Sequence, residues 1–147
     1  MNLSDQSIVD AIMQARAQID FLWQFFVSVH IALFALLFIY DHAIEAMNYV
    51  ARAFMVAGVG LFNWINGNGI VDSYNLLNAL HHQFRFQFGQ ADKYDPQFYK
   101  FFVLSHFEDR PLTVLITHSL AFAVVMLSMF WRRFISEPVS SFKRRDA

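Results

Sequence analysis

The sequence predicts an all-α membrane protein with three transmembrane helices and with amphipathic helices at the N-terminus and on the extracytoplasmic side. Of its 147 residues, 56% are hydrophobic and only 16% are charged, whereas a soluble domain is about 45–50% apolar and about 25% charged. The run Pro111 to Trp131 contains no Asp, Glu, Lys or Arg, and neither does the run Phe21 to Tyr40. A helix needs roughly 20 apolar residues to cross a bilayer core. These observations indicate the class of the protein rather than its activity.

The N-terminal residues 1–20 have the pattern of an amphipathic helix. Apolar residues recur every three or four positions, which places them on one helical face; they are Ile8, Ile12, Ala15, Ile19 and Trp23. Ser4 is a possible N-cap, and Ser7 with Asp10 matches a capping box. We interpret the segment as an extension of the first span that lies at the membrane interface. The alternative is a helix that docks on a partner.

Residues 21–40 form the first predicted transmembrane helix. Trp23 and Tyr40 stand near its two ends, where aromatic residues favour the membrane–water boundary. The apolar run is too long for a signal peptide, and the first basic residue, Arg16, follows Asp5 and Asp10 instead of forming a positive start, so we expect the run to be retained as a span.

The second span, residues 43–66, is the weakest of the three. Its strictly apolar part, Ala53 to Phe62, is too short to cross the hydrocarbon core. The span therefore needs the preceding turns, from which Arg52 can extend its charged end towards the interface. A stripe of small residues predicts the face that packs on the other two spans; it comprises Ala43, Ala46, Val50, Ala53, Ala57 and Gly60. Asn and Gly residues between 63 and 69 predict the end of this helix.

Residues 70–110 are predicted to be an extracytoplasmic amphipathic segment. A helix is expected from Ser73 to Phe88, with Asp72 as its N-cap. A turn follows, and Asp95 with Pro96 predicts the start of another helix that ends near His106. The third transmembrane helix covers residues 111–135, and a basic tail covers 136–147.

The positions of the basic residues predict the orientation. They crowd next to the end of the third span, and this density near a membrane end marks the cytoplasmic side; the residues are Arg132, Arg133, Lys143, Arg144 and Arg145. We expect a bacterial inner-membrane protein with a cytoplasmic C-terminus and with the N-terminus and residues 70–110 outside. In the alternative arrangement, residues 43–66 do not cross, and the N-terminus is inside.

His30 and His118 are the candidate cofactor ligands. In the three-span arrangement the first and third helices run the same way, so both imidazoles lie roughly 9–14 Å below the outer helix ends. Two imidazoles from neighbouring helices are the axial ligands of a six-coordinate haem b, and a histidine inside a membrane is a functional candidate. The preferred alternative is that each histidine is neutral and hydrogen-bonded to Ser28, Thr117 or a carbonyl on a neighbouring helix.

Other chemistry has weaker support. The chain has no cysteine, which excludes thiolate metal sites and thiol nucleophiles. The outer segment contains metal-ligating residue types, for which a copper or zinc site is the alternative; they are His81, His82, His106, Glu108 and Asp109. A solvated polar surface is the preferred interpretation, and no metal is predicted. Near the inner side, Asp41 or Glu45 is expected to form a salt bridge with Arg52. No phosphate-binding loop or nucleophile motif is present.

These observations predict a non-catalytic accessory subunit of a larger integral membrane complex. Its partners would be the lipid bilayer and other membrane protein subunits, without nucleic acid. Three helices have more small-residue and aromatic surface than they can bury among themselves. Two alternatives stay open: an electron carrier with haem b on His30 and His118, and a subunit of an oligomeric transporter or channel.

Overall fold

The computed structural model describes residues 5–40, 46–90, 92 and 95–130, and all the long elements in them are helices. Helix α1 covers Asp5–Ile39, α2 covers Tyr49–Phe88, and α4 covers Arg110–Phe130. Between the last two, the short helix α3, Pro96–Phe98, continues into a π-helical segment, Tyr99–Val103. The three long helices are each long and apolar enough to cross a membrane. The predicted fold class is confirmed, and the chain is an integral membrane protein by these criteria.

Helix α1 joins the predicted amphipathic helix and the first span in one element of 35 residues. It contains neither Gly nor Pro, so nothing in the sequence interrupts it. At 1.5 Å per residue it extends about 52 Å, well beyond a hydrocarbon core of about 30 Å. Its N-terminal apolar face is covered by α2 and the π-helical segment, so the interpretation of this face as an interfacial surface is wrong. The chain is already helical at Asp5, so Ser7 lies inside the helix and does not cap it, and Ser4 is outside the described residues.

Helix α2 is a single helix of 40 residues. The predicted end between residues 63 and 69 and the separate helix capped by Asp72 are therefore wrong. Gly and Asn have low helix propensity, but a break inside a bilayer would leave backbone groups without partners. Packing also holds the stretch, since the Asn66 side chain donates to the Leu22 carbonyl at 3.3 Å. The helix begins later than predicted, at Tyr49, because Asn48 caps it by accepting from the Ala51 amide at 2.8 Å.

Most of the predicted small-residue stripe on α2 is exposed, whereas Gly60 packs against Phe122 of α4. Val50 is 63% exposed, and Ala53 and Ala57 are also exposed; Ala43 lies outside the described residues. The opposite face is buried instead; it comprises Arg52, Val59, Asn63, Asn66, Ile70, Ser73, Leu77, His81 and Phe84. Polar side chains in lipid need hydrogen-bond partners, so α2 turns its polar face inward and leaves its small aliphatic face outside.

The three long helices form a bundle in which α2 is antiparallel to both neighbours. Phe25 of α1 meets Phe62 of α2 with ring centroids 5.5 Å apart, and Leu37 shares a cluster with Val59. Arg52 near the start of α2 reaches Met129 near the end of α4. Helices α1 and α4 are consequently parallel, as predicted.

Two apolar clusters occupy opposite ends of the molecule. The first joins all three long helices and comprises Leu37, Val59, Val125 and Met129. The second comprises Ile8, Ile12, Ala15, Ile19, Leu77, Phe84 and Val103. We call the part around the second cluster, residues 5–19, 74–88 and 95–107, the head.

The head projects beyond the first residue of α4. Phe107, three residues before α4 begins, stacks on Tyr74 at 6.2 Å, so the rest of α2 continues past this level. The described part of α4 has 21 residues and extends about 32 Å, which is enough to cross one bilayer core. A bilayer centred on α4 therefore leaves the head outside the hydrocarbon.

The start of α3 agrees with its predicted cap. The Asp95 carboxylate accepts from the amides of Gln97 at 2.9 Å and Phe98 at 3.1 Å, and Pro96 occupies the first turn. The π-helical segment ends at Val103, three residues before the predicted end at His106.

Candidate functional site in the bundle core

Four polar side chains form a buried layer between the two apolar clusters. His30 belongs to α1, Asn63 and Asn66 belong to α2, and His118 belongs to α4, and all four are buried. Polar groups at this depth are costly in lipid and are retained where they bond to each other or serve a function. We call these four residues the polar layer.

His118 connects the helices. Its Nδ1 lies 2.9 Å from the Val114 carbonyl one turn earlier in α4. Its Nε2 lies 3.0 Å from Asn66 Oδ1, and the Asn66 amide nitrogen donates to the Leu22 carbonyl of α1. Asn66 thus links α4 to α1 through α2. The side-chain partner of His118 is Asn66, not the predicted Ser28 or Thr117. Thr117 bonds within α4, to Thr113 at 2.8 Å.

His30 is held only on one side. Its Nδ1 lies 2.9 Å from the Phe26 carbonyl of the same helix. Its Nε2 is buried without a hydrogen-bond partner among the described residues. Ser28, the other residue considered for it, is exposed.

The arrangement does not fit a haem b held by His30 and His118. The Phe26 ring packs against both imidazoles, with centroids 4.2 Å from His30 and 4.0 Å from His118. Both ring nitrogens of His118 are already directed at protein oxygens. An iron bound by both residues requires an opening in which the imidazoles face one another, and aromatic packing occupies that position.

A groove opens beside the polar layer, between α2 and α4. Its volume is about 290 Å³, and its lining includes Gly60, Asn63, Trp64, Gly67, His118 and Ser119. Both amide atoms of Asn63 are buried and have no partner in the described part of the chain. The groove therefore combines an apolar wall with an amide that can still donate one hydrogen bond and accept another.

Arg52 joins α2 to α4 at the end of the bundle opposite the head. The side chain is buried, and its Nη1 donates to the Met129 carbonyl at 3.2 Å. Met129 is the penultimate described residue of α4, so this bond joins the first turn of α2 to the part of α4 farthest from the head. The predicted acidic partners, Asp41 and Glu45, fall outside the described residues.

The head contains a second buried polar group. His81 is fully buried between the rings of Phe102 and Phe107, at 5.4 and 5.3 Å. The Arg16 guanidinium lies 3.4 Å from its Nε2. Burial, and then the charge of Arg16, lower the pKa of His81 to about 4. The imidazole is consequently neutral at pH 7 and accepts a hydrogen bond from the arginine.

The residues considered as possible copper or zinc ligands do not converge on one point. His82, His106, Glu108 and Asp109 are exposed, whereas His81 is inside the head. Among residues 5–40, 46–90, 92 and 95–130, no three His, Asp or Glu side chains are placed to hold a metal ion.

The spacing of polar and apolar residues in α2 indicates the polar layer from the sequence alone. The buried positions of α2 follow one another at spacings of three or four through the Asn–Gly stretch; they are Val59, Asn63, Asn66, Ile70, Ser73 and Leu77. This helical period argues for continuity, whereas Asn and Gly taken singly argue for an end. No protein-family model, curated protein or solved structure matches the chain significantly.

Proposed function

We propose that the chain is a non-catalytic accessory subunit of a larger integral membrane complex and that its head binds a partner subunit. Phe86 carries the proposal. It belongs to the head, and its side chain is 84% exposed. Burying such a side chain is worth about 1.5–3 kcal/mol, and hydrocarbon does not cover it when the bilayer is centred on α4.

Exposed apolar side chains occur elsewhere in the head as well, on α2 and on other elements. Met13 belongs to α1, Leu76 to α2, Phe98 to α3, and Leu104 follows the π-helical segment; each is exposed. A single exposed apolar residue needs no explanation. The support comes from their distribution over several elements of a small head beside an almost fully exposed phenylalanine.

Photocrosslinking in native membranes tests this proposal. A photoreactive phenylalanine analogue at Phe86 is expected to crosslink to one integral membrane protein, which also copurifies with the wild-type chain in a fixed ratio. The matched control places the analogue at Phe54, which is exposed on the intramembrane half of α2, and we expect it to label lipid. Phe86→Ser is expected to weaken copurification, whereas His82→Ser, an exposed position on the same helix, is expected to retain it. A chain that purifies alone, with no crosslink from Phe86, would refute the proposal.

We also propose that the head faces the outside of a bacterial inner membrane, because basic residues follow the last span. The chain has no native cysteine, so single cysteines report cleanly. A membrane-impermeant thiol reagent should label His82→Cys in intact cells and Ser140→Cys only after lysis. The opposite labelling pattern would reverse the orientation. The transporter alternative stays a prediction.

A further inference from the structure

We propose that the groove between α2 and α4 binds a neutral, flat, lipid-soluble molecule that carries carbonyl oxygens, of the quinone class. The inference does not depend on the accessory role. Asn63 is the central residue: it lines the groove, only 8% of it is exposed, and both atoms of its amide lack a partner in the described part of the chain.

The depth of Asn63 determines what can satisfy it. Its neighbour Asn66 bonds to His118, which lies eight residues into α4, about 12 Å from the helix start at 1.5 Å per residue. This is within the hydrocarbon of a bilayer centred on α4. Acyl chains offer an amide no hydrogen bond, and an unpaired polar group there is unfavourable. The occupant must therefore bring a hydrogen-bonding group to Asn63, and a carbonyl oxygen accepts from its nitrogen.

The walls of the groove select a thin occupant. Glycine lets the groove approach the helix axes: a Cβ added at Gly67 would lie 3.4 Å from the His118 ring, and one at Gly60 would lie 3.4 Å from the Phe122 ring. Trp64 forms one aromatic wall and is 70% exposed. Flat rings stack favourably on such side chains.

The volume of the groove and the absence of charge in its lining limit the class of ligand further. About 290 Å³ is at the lower end of small-molecule sites, which span about 300–1,000 Å³. It accommodates a ring with its tail in the lipid, but not a helix with a diameter of about 10–12 Å. None of the lining residues is Asp, Glu, Lys or Arg, which favours a neutral ligand.

Fluorescence quenching in lipid nanodiscs tests the site. The variant Trp23→Phe with Trp131→Phe leaves Trp64 as the sole tryptophan, since the chain has three. A decyl-substituted benzoquinone is the probe, because quinones quench tryptophan on contact. We expect saturable quenching, and we expect Asn63→Leu to raise the apparent Kd by about tenfold, the factor that corresponds to one lost hydrogen bond. Asn75→Leu, an exposed position on the same helix, is the matched control and is expected to leave the Kd unchanged.

Further arms separate the quinone from other occupants. Ser119 is exposed at the groove, so Ser119→Leu fills the site from α4 and should abolish saturable quenching. This variant tests the site even if Asn63→Leu loses its helical circular dichroism. Decylbenzene, which has the tail and a ring without carbonyl oxygens, should not compete. Quenching that rises linearly and equally in all variants would overturn the proposal, and so would equal competition by decylbenzene, which would indicate a groove for acyl chains. A stable dimer that Asn63→Leu dissociates would assign the groove to a second copy and would also overturn it.

Discussion

The bond between Asn66 and His118 gives the sharpest test of the bundle core. Asn66→Leu removes two hydrogen bonds, one to His118 at 3.0 Å and one to the Leu22 carbonyl at 3.3 Å. Hydrogen bonds between membrane helices are worth about 0.6 kcal/mol on average and up to about 1.7. The substitution also leaves His118 Nε2 buried without a partner, which costs about 1–3 kcal/mol. We expect the free energy of unfolding to fall by about 2–3 kcal/mol.

A double-mutant cycle isolates the pair. His118→Leu alone leaves Asn66 Oδ1 unpaired, whereas the double variant removes both polar partners, which is less costly than the sum of the single changes. We expect a coupling energy of about 1 kcal/mol. Reversible unfolding in mixed detergent micelles, followed by circular dichroism, measures all four proteins, and Asn75→Leu serves as the surface control. Additive effects of the two substitutions would show that the residues do not interact and would refute the geometry of the polar layer.

Three further predictions concern other parts of the structure. The pKa of His81 is lowered from 6.5 to about 4, so the unfolded chain binds more protons than the folded chain between these pH values. The stabilisation of the head by neutral His81 is therefore complete above about pH 6.5 and is lost as the pH falls towards 4. Amide hydrogen exchange should show this loss in wild type and His82→Ser but not in His81→Phe. Arg52→Met removes the donor to the Met129 carbonyl of α4 and should lower the free energy of unfolding by about 1–3 kcal/mol, whereas Arg52→Lys should lower it less; equal losses would contradict a role for the charge. Gly89→Ala places a Cβ against the Arg85 carbonyl and should destabilise the chain, whereas a Cβ at Gly58 meets nothing within 4 Å, so Gly58→Ala should stabilise it by up to about 1 kcal/mol. A lower thermal unfolding temperature for Gly58→Ala than for Gly89→Ala would contradict this.

The spans were predictable because they depend on properties that adjacent residues share. The run from Pro111 to Trp131 has no charged residue, and α4 covers all of its described part. Asp95 and Pro96 predict a local cap that needs no tertiary contact. The parallel course of α1 and α4 follows from three crossings of one membrane.

The face that α2 buries was not predictable in the same way. Small residues such as Ala53 and Ala57 let helices pack closely in lipid, but hydrogen bonding determines which face of α2 is buried. This could not be predicted locally, because the partners of Asn66 are 44 and 52 residues away in sequence. The histidine pair illustrates the same limit. His30 and His118 are indeed buried on neighbouring helices, yet the side chain that separates them, Phe26, is ordinary among 18 phenylalanines.

The continuity of α2 has a mechanical consequence. The helix passes without a hinge from the groove at Gly67 to Phe86 in the head, a lever arm of about 28 Å at 1.5 Å per residue. A change in tilt of about 5° around Gly67 displaces Phe86 by about 2–3 Å on this arm. A tilt of this unbroken helix against α4 therefore displaces Phe86 laterally in the head.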